Sequence, residues 1–305
     1  MELRQLSYFI KLAETLNFST AARELFITQS TLSHQILQLE REFDQALFLR
    51  NSHEVSLTEA GEQLLPLAKA TVRSADHCRS RLEELKNLMT GELNIGVTYS
   101  FGSIAAETVT AFLRRYPHVK MNVMQATMAT LMERLLHHDL DFVLAFKPTT
   151  PDPRIDSEEL FHHRLAAIVS ESHPLAKHKQ VTLEELQRYD LALPKRGTQA
   201  RNALERLTSG TDYQFNIKVE MNTVYMLFRL IRESNYVTVL SEGTIYSEKG
   251  LSSVPIKVSG TKENDMVGCI HQLRNVHVKK STKEFVKMMK ESAVLLRDTL
   301  LSEEV

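Results

Sequence analysis

Residues 28–34 set Thr28, Gln29, Ser30, Thr31, Ser33 and His34 in a stretch whose apolar positions Leu32, Ile36, Leu39 and Phe43 recur at 4-3-4 spacing. That period predicts a helix with one buried face and leaves amide, hydroxyl and imidazole groups, with Arg41, on the other. Such groups can read base edges. Gln pairs bidentately with adenine, Ser and Thr accept from or donate to several bases, and His reaches guanine or phosphate. A solvated face of any amphipathic helix carries similar residues, so the preceding element must decide.

That element, residues 19–27 (STAARELFI), reads as a second short helix with its turn. Ser19 and Thr28 each stand where an N-cap oxygen is needed for the first free amides of a helix. Ala22 is small where two helices would cross, and Leu25 and Ile27 flank a three-residue turn. Two capped helices joined this way have the spacing of a helix-turn-helix, which places its second helix in the DNA major groove. Ser19 and Thr20, at the start of the first helix, join the candidate DNA contacts.

Around this core, residues 1–90 resemble the N-terminal part of a LysR-type transcriptional regulator. The matching pieces are LSYFIKLA (6–13), FSTAA (18–22), TQSTLSHQI (28–36), Leu39 with Glu40, LFLR (47–50) and LTEAG (57–61), in the family's order and at its distances from the first Met. The resemblance implies an α/β protein with an N-terminal all-α winged helix-turn-helix, a long dimerising linker helix and a two-lobed sensor like a periplasmic binding protein. Mapped here, these are residues 1–57, 58–90 and 91–305, with lobe 1 at 91–162 and 266–305 and lobe 2 at 163–265. It implies that Thr28, Gln29, Ser30, Ser33 and His34 face DNA and that Arg50 lies in the wing. The implied partners are double-stranded DNA, a small-molecule effector and further copies of the chain, as a homodimer through the linker helix and a homotetramer. RNA polymerase is a further candidate partner.

The charge pattern departs from a typical DNA-binding domain. In residues 1–57 the bases are Arg4, Lys11, Arg23, Arg41 and Arg50, against Glu2, Glu14, Glu24, Glu40, Glu42, Asp44 and Glu54. Members of the family often carry Arg where this chain has His34, Leu37, Gln38 and His53. Phosphate contacts supply most non-specific affinity, so few cations predict weaker, less salt-sensitive binding, with neutral donors and helix N-termini carrying more of it.

After Leu57, Thr58 is placed as an N-cap with Glu59 and Glu62 in the first turn, and no Gly occurs from Glu62 to Thr90. Leu64, Ala68, Thr71, Ala75, Cys78, Leu82, Leu85 and Met89 recur at alternating four- and three-residue steps, the seam of a coiled coil. A helix of this length, roughly 48 Å at about 1.5 Å per residue, is too long to be covered by its own N-terminal domain, so its partner is a second copy. Pro66 should bend it near its start.

Beyond Gly91 strands alternate with helices. Residues 93–98 (LNIGVT), 119–124 (VKMNVM) and 142–146 (FVLAF) read as buried strands with helices at 104–115 and 131–138 between them, a βαβαβ order that implies a parallel sheet. A second set places strands at 165–169, 192–193, 217–220 and 237–240 and helices at 183–188, 202–207 and 224–233. A strand at 266–271 and a helix at 282–300 return to the first set. Two crossovers, near 162–164 and 263–265, would join two lobes around a cleft. Ligands of such sheets bind beyond the carboxyl ends of the strands. That rule nominates Thr98, Tyr99, Ser100, Thr127 and Lys147 from one lobe and Arg196, Thr198, Asn222, Thr223 and Ser241 from the other. Lys147, Lys195 and Arg196 point to an anionic effector.

The chain has 305 residues, a net charge of −1 and two cysteines, Cys78 and Cys269. It lacks a signal-peptide pattern and any apolar stretch of membrane-spanning length, and two isolated thiols suit a reducing cytoplasm. No GxGxxG, phosphate loop, HExxH, GxSxG or paired CxxC occurs, so no catalytic residue, cofactor or metal is nominated. His137 with His138, and His162 with His163, are adjacent and point to different faces of their elements, a poor arrangement for one metal. The alternatives are a solute-binding protein and an enzyme built on the α/β lobes; the helix-turn-helix weighs against the first and the missing motifs against the second.

Overall fold

The computed structural model describes residues 1–50, 55–85, 89–246, 248–258 and 264–302, without the side chains of 77, 79–85 and 293–302. The chain separates into two compact units, residues 1–88 with 136–139, and residues 89–135 with 140–305.

The first unit contains α1 (Leu3–Thr15), α2 (Phe18–Glu24), α3 (Gln29–Phe43), the antiparallel pair β1 (Phe48–Arg50) and β2 (Val55–Leu57), and α4 (Glu59–Leu85). Its core gathers Leu6, Phe9 and Leu12 of α1, Ala21 and Ala22 of α2, Leu32, Ile36 and Leu39 of α3, and Phe48 of the hairpin. Ala22 is buried at the crossing and Leu25 and Ile27 pack beside it, as their spacing predicts. Phe43 departs from the expected buried face, being 38% exposed one turn past Leu39 at the end of α3.

Helix α4 corrects the expected seam at both ends. Ala68 is 1% exposed and Leu64 half-buried, both packed on the core of their own unit, and Met89 packs into the core of the second unit. Thr71 and Cys78 from the middle of the expected seam are exposed and Ala75 is half-buried, and exposed Leu67 and Ser74 stand with Thr71 and Cys78 at four- and three-residue steps. The side chains of Leu82 and Leu85 lie outside the described residues.

The second unit is built on a mixed eight-stranded sheet. Parallel strands β3 (Gly91–Val97), β4 (Val119–Gln125) and β5 (Phe142–Phe146) stand in the order β4-β3-β5, with α5 (Gly102–Arg115) and α6 (Met128–Leu136) as connections. The sheet continues antiparallel through β12 (Asp265–Leu273) to β6 (Ile155–Ser170). Strand β6 pairs with β12 along its first half, then with β10 (Thr238–Ser241) and β11 (Leu251–Lys257) along its second. It is thus the first crossover itself. Its residues 155–164, like β11 and the short β7 (Val181–Thr182), are strands that the sequence pattern does not predict.

The expected second crossover begins at Glu263, outside the described residues. Asn264 beside it accepts from the Leu165 N–H at 2.9 Å and donates to the carbonyls of Leu165 and Ile256. The remaining elements are α7 (Leu183–Leu186), the parallel pair β8 (Asp190–Pro194) and β9 (Asn216–Met221), α8 (Gln199–Thr208), α9 (Val224–Arg232) and α10 (Lys280–Ser302). One apolar core runs through both lobes, from Leu93 and Phe112 to Phe228 and Phe285. Among the described residues no helix is long and apolar enough to cross a membrane.

Candidate functional site

Two surfaces concentrate the nominated residues, one in each unit. In the first unit the turn into α3 reverses at Phe26 (φ 55°), and Thr28 caps the helix by accepting from the Thr31 N–H at 3.2 Å. The Thr28, Ser30 and Thr31 hydroxyls join at 3.0 and 2.7 Å, a polar cluster at the helix N-terminus. The cap of α2 is Asn17, which accepts from the Thr20 N–H at 2.9 Å, and not Ser19 as expected. An Asn two residues earlier satisfies the free amide.

Relieved of capping, Ser19 donates from its Oγ to Gln29 Oε1 at 2.9 Å and fixes that amide from the neighbouring helix. Thr28, Gln29, Ser30, Thr31 and His34 line one side of α3 and are largely exposed, with Ser33 and Thr20 near them. Exposed Leu37 interrupts this polar face one turn further on.

The cations of the unit are mostly engaged. Arg50 ends β1, pairs with Glu40 at 2.7 Å and lies over the Phe18 ring at 5.1 Å, while Glu40 also accepts from the Leu47 and Phe48 amides. Arg50 therefore ties the hairpin to α2 and α3, and its charge is largely neutralised. Hydrogen bonding to Glu14 raises the Lys11 pKa, with Glu24 adding to it, and Arg4 pairs with Glu2. Arg23 and Arg41 have no ion-pair partner among the described residues. His53 lies outside the described residues.

In the second unit a cleft of roughly 430 Å³, open mouth included, lies beyond the strand ends. Thr98, Tyr99 and Ser100 follow β3, Thr127 follows β4, and Thr198 and Asn222 follow β8 and β9; all six line it, as nominated. Each segment also opens a helical turn. Thr98 starts the 3-10 turn Tyr99–Phe101 that leads into α5, Thr127 precedes α6, and Thr198 and Thr223 are the N-cap residues of α8 and α9. Neither of those last two side chains caps its helix: Thr198 donates to the Lys195 carbonyl at 3.0 Å and Thr223 to Asn222 Oδ1 at 3.2 Å.

The charged nominees fall elsewhere. Lys147 pairs with Glu159 at 2.7 Å and Arg196, 77% exposed, with Glu205 at 3.2 Å, and neither lines the cleft. Exposed loop cations find surface carboxylates more readily than they turn into an apolar cleft. Ser241 is buried against His163 Nδ1 at 3.2 Å, and Thr223 also stands outside the lining.

Several lining residues carried no sequence signal. Met128, Pro194, Met221, Val224 and Leu240 make an apolar wall, and no lining side chain is charged. Gln199, the first residue of α8, spans the cleft: it accepts from the Phe146 N–H at 3.1 Å and donates to the Phe146 carbonyl at 2.8 Å. Only its place at a helix start beside a nominated strand end could have flagged it. Burial pushes His271 down to about 4 and Cys269 up to about 11, so both are neutral near pH 7. His162 faces Asp265 at 2.9 Å while His163 faces Ser241, opposite sides of β6 as the adjacent pair implies.

Comparison with known proteins covers both units. The family model for a bacterial regulatory helix-turn-helix protein of the lysR family matches residues 3–62, and that for a LysR substrate binding domain matches residues 86–274. The transcriptional dual regulator GltC of Bacillus subtilis is 29% identical over 271 residues, 88% of this chain and 90% of its own. In fold, the chain is similar to a full-length variant of OxyR from Pseudomonas aeruginosa, with a TM-score of 0.74 at 19% identity over 96% of this chain and 94% of that one. It is also similar to full-length CbnR complexed with its target DNA, with a TM-score of 0.65 at 20% identity over 96% of this chain and all of the other.

Proposed function

The chain belongs to the LysR family of bacterial transcriptional regulators, and from that premise we propose which of its residues read DNA and which read a metabolite. It is a DNA-binding regulator with an effector-binding domain, not an enzyme or a solute carrier. The DNA contacts are Ser30, Thr31, Ser33 and His34 around Gln29, whose amide Ser19 orients toward a base edge. The exposed α3 N-terminus, with no acid in its first turn, supplies phosphate contacts in place of Arg or Lys. Residues 1–57 act as the reading head, 58–90 as the linker and 91–305 as the sensor.

The observation that carries the sensor assignment is the convergence of strand ends and helix starts on one cleft without charged walls. Its occupant is a compact metabolite whose anionic or strongly accepting group meets the N–H groups opening α8 and α9, which no side chain caps, with its apolar part against Met128, Met221 and Leu240. Gln199 joins α8 to the end of β5, so a ligand that competes for the Phe146 backbone or tightens around it changes the angle between lobes. Such a ligand shifts that equilibrium only by its differential affinity for the two arrangements.

The dimer forms along Leu67, Thr71 and Cys78 of α4. Exposed Val123 on β4, and Tyr225 and Met226 on α9, are the apolar side chains offered for assembly into a tetramer. The protein works in the cytoplasm, where DNA and RNA polymerase are at hand. The test is thermal-shift screening of the full chain against small carboxylates, with Asn222→Ala and Thr98→Ala beside the parent. Hits that stabilise the parent and neither variant support this cleft; hits that stabilise all three equally place the effector elsewhere.

A further inference from the structure

A second pocket, open to solvent, lies where β6 passes from one lobe to the other. Ser103 and Glu107 of α5 border it on one side, Gly243 and Tyr246 on another, and the rings of Phe161 and His163 form its back. Those rings stand two residues apart on one face of β6 with centroids 4.4 Å apart, and Phe101 continues the series 5.3 Å from Phe161. Glycines flank the series: a Cβ at Gly243 would overlap the His163 ring, and one at Gly268 would overlap Phe161. The aromatic wall is thus held in place from both sides.

Its chemistry differs from that of the first cleft. No Lys or Arg lines it, and its one charged residue, Glu107, is exposed and has no ion-pair partner among the described residues. His163, held by Ser241, is pushed by burial down to about 4, so near pH 7 it adds an uncharged ring. A carboxylate beside phenyl, phenol and neutral imidazole surfaces attracts a cation twice, through the charge and through the ring quadrupoles.

We propose that this hinge cavity is a second small-molecule site and that it takes a small organic cation, an alkylammonium with its charge between Glu107 and the aromatic wall. Ser100 borders both cavities, on the turn Tyr99–Phe101 that separates them. Occupation of one therefore acts on the other through that turn, and the coupling is reciprocal.

The test uses the full chain, with choline as the probe and 3,3-dimethylbutan-1-ol as its neutral isostere, read by calorimetry and thermal shift. The expected result is saturable choline binding that the alcohol does not reproduce. Glu107→Gln weakens it about tenfold, the order of one half-screened charge contact, and Ser103→Phe abolishes it by filling the space. Glu107 is exposed, so its variant folds and decides the matter should Ser103→Phe not fold. No saturable choline binding, equal binding of the alcohol, or parent affinity in Glu107→Gln would overturn the proposal.

Discussion

The reading face of α3 and the sensor cleft are both nearly free of available charge, yet they are assembled in opposite ways. The reading face comes from residues 19–34, carried on two helices that share one core with α1 and the β1–β2 hairpin. The cleft collects residues from 98 to 240, delivered by several different strand ends. A contiguous site on a rigid helix keeps its geometry whatever the rest of the chain does. A site gathered from two lobes is formed only in some of their arrangements, and that dependence is what a sensor requires.

If the two sites are independent in this way, the core of the reading head can be broken without silencing the sensor. Ile36→Ala opens a cavity in a fully buried site and should destabilise the first unit by about 2–5 kcal/mol, abolishing DNA binding. Ligand-induced stabilisation of the second unit, followed by calorimetry, should survive; its loss would show that the two sites are not separable. Gln199→Ala removes both bonds to Phe146 and should change the affinity of a cleft ligand by about 1–2 kcal/mol while leaving DNA affinity without ligand unaltered. Equal losses in both measurements would make Gln199 a folding residue.

The weak charge of the reading head has its own signature. With Arg23 and Arg41 as the cations of each head that lack an ion-pair partner among the described residues, a dimer should show a log–log salt slope of magnitude about four or less. A slope of magnitude near ten would show that the paired cations, Arg50 among them, release their carboxylates on DNA.

A separate effect concerns pH. His271 is wholly buried and neutral, with Nδ1 2.8 Å from Ser157 Oγ and Nε2 facing the Ala145 carbonyl at 3.3 Å. Its folded pKa of about 4 lies below its unfolded value of roughly 6.5. Between those values the unfolded state binds the proton, so this contribution is fully present above pH 6.5 and is lost as pH falls toward 4. Thermal melts of the His271→Gln variant should show a flatter acid limb than the parent; an unchanged limb would assign the slope to other groups.

Much of this was legible because helical periodicity and strand-end rules act locally. The α2–α3 pair follows from residues 19–39, and six cleft residues follow from the strands that precede them. What escaped did so for physical reasons. The first half of β6, IDSEELFHHR, is polar because much of it meets solvent, and β11 hides behind Ser252, Ser253 and Pro255. Lys147 and Arg196 attract attention by their charge, which the fold commits to Glu159 and Glu205. Gln199 is silent because a polar residue at a helix start has many bland uses.

The assignment of Gln29 as a base reader can be tested without knowing the operator, by selecting bound duplexes from a random DNA library with the parent and with Gln29→Ala. The parent should enrich an inverted repeat with half-sites about one helical turn, or a multiple of it, apart. Gln29→Ala should lose preference at one position per half-site, at about 1–3 kcal/mol each, while binding random DNA as the parent does. Enrichment of the same repeat with the same preference by both proteins would contradict the account.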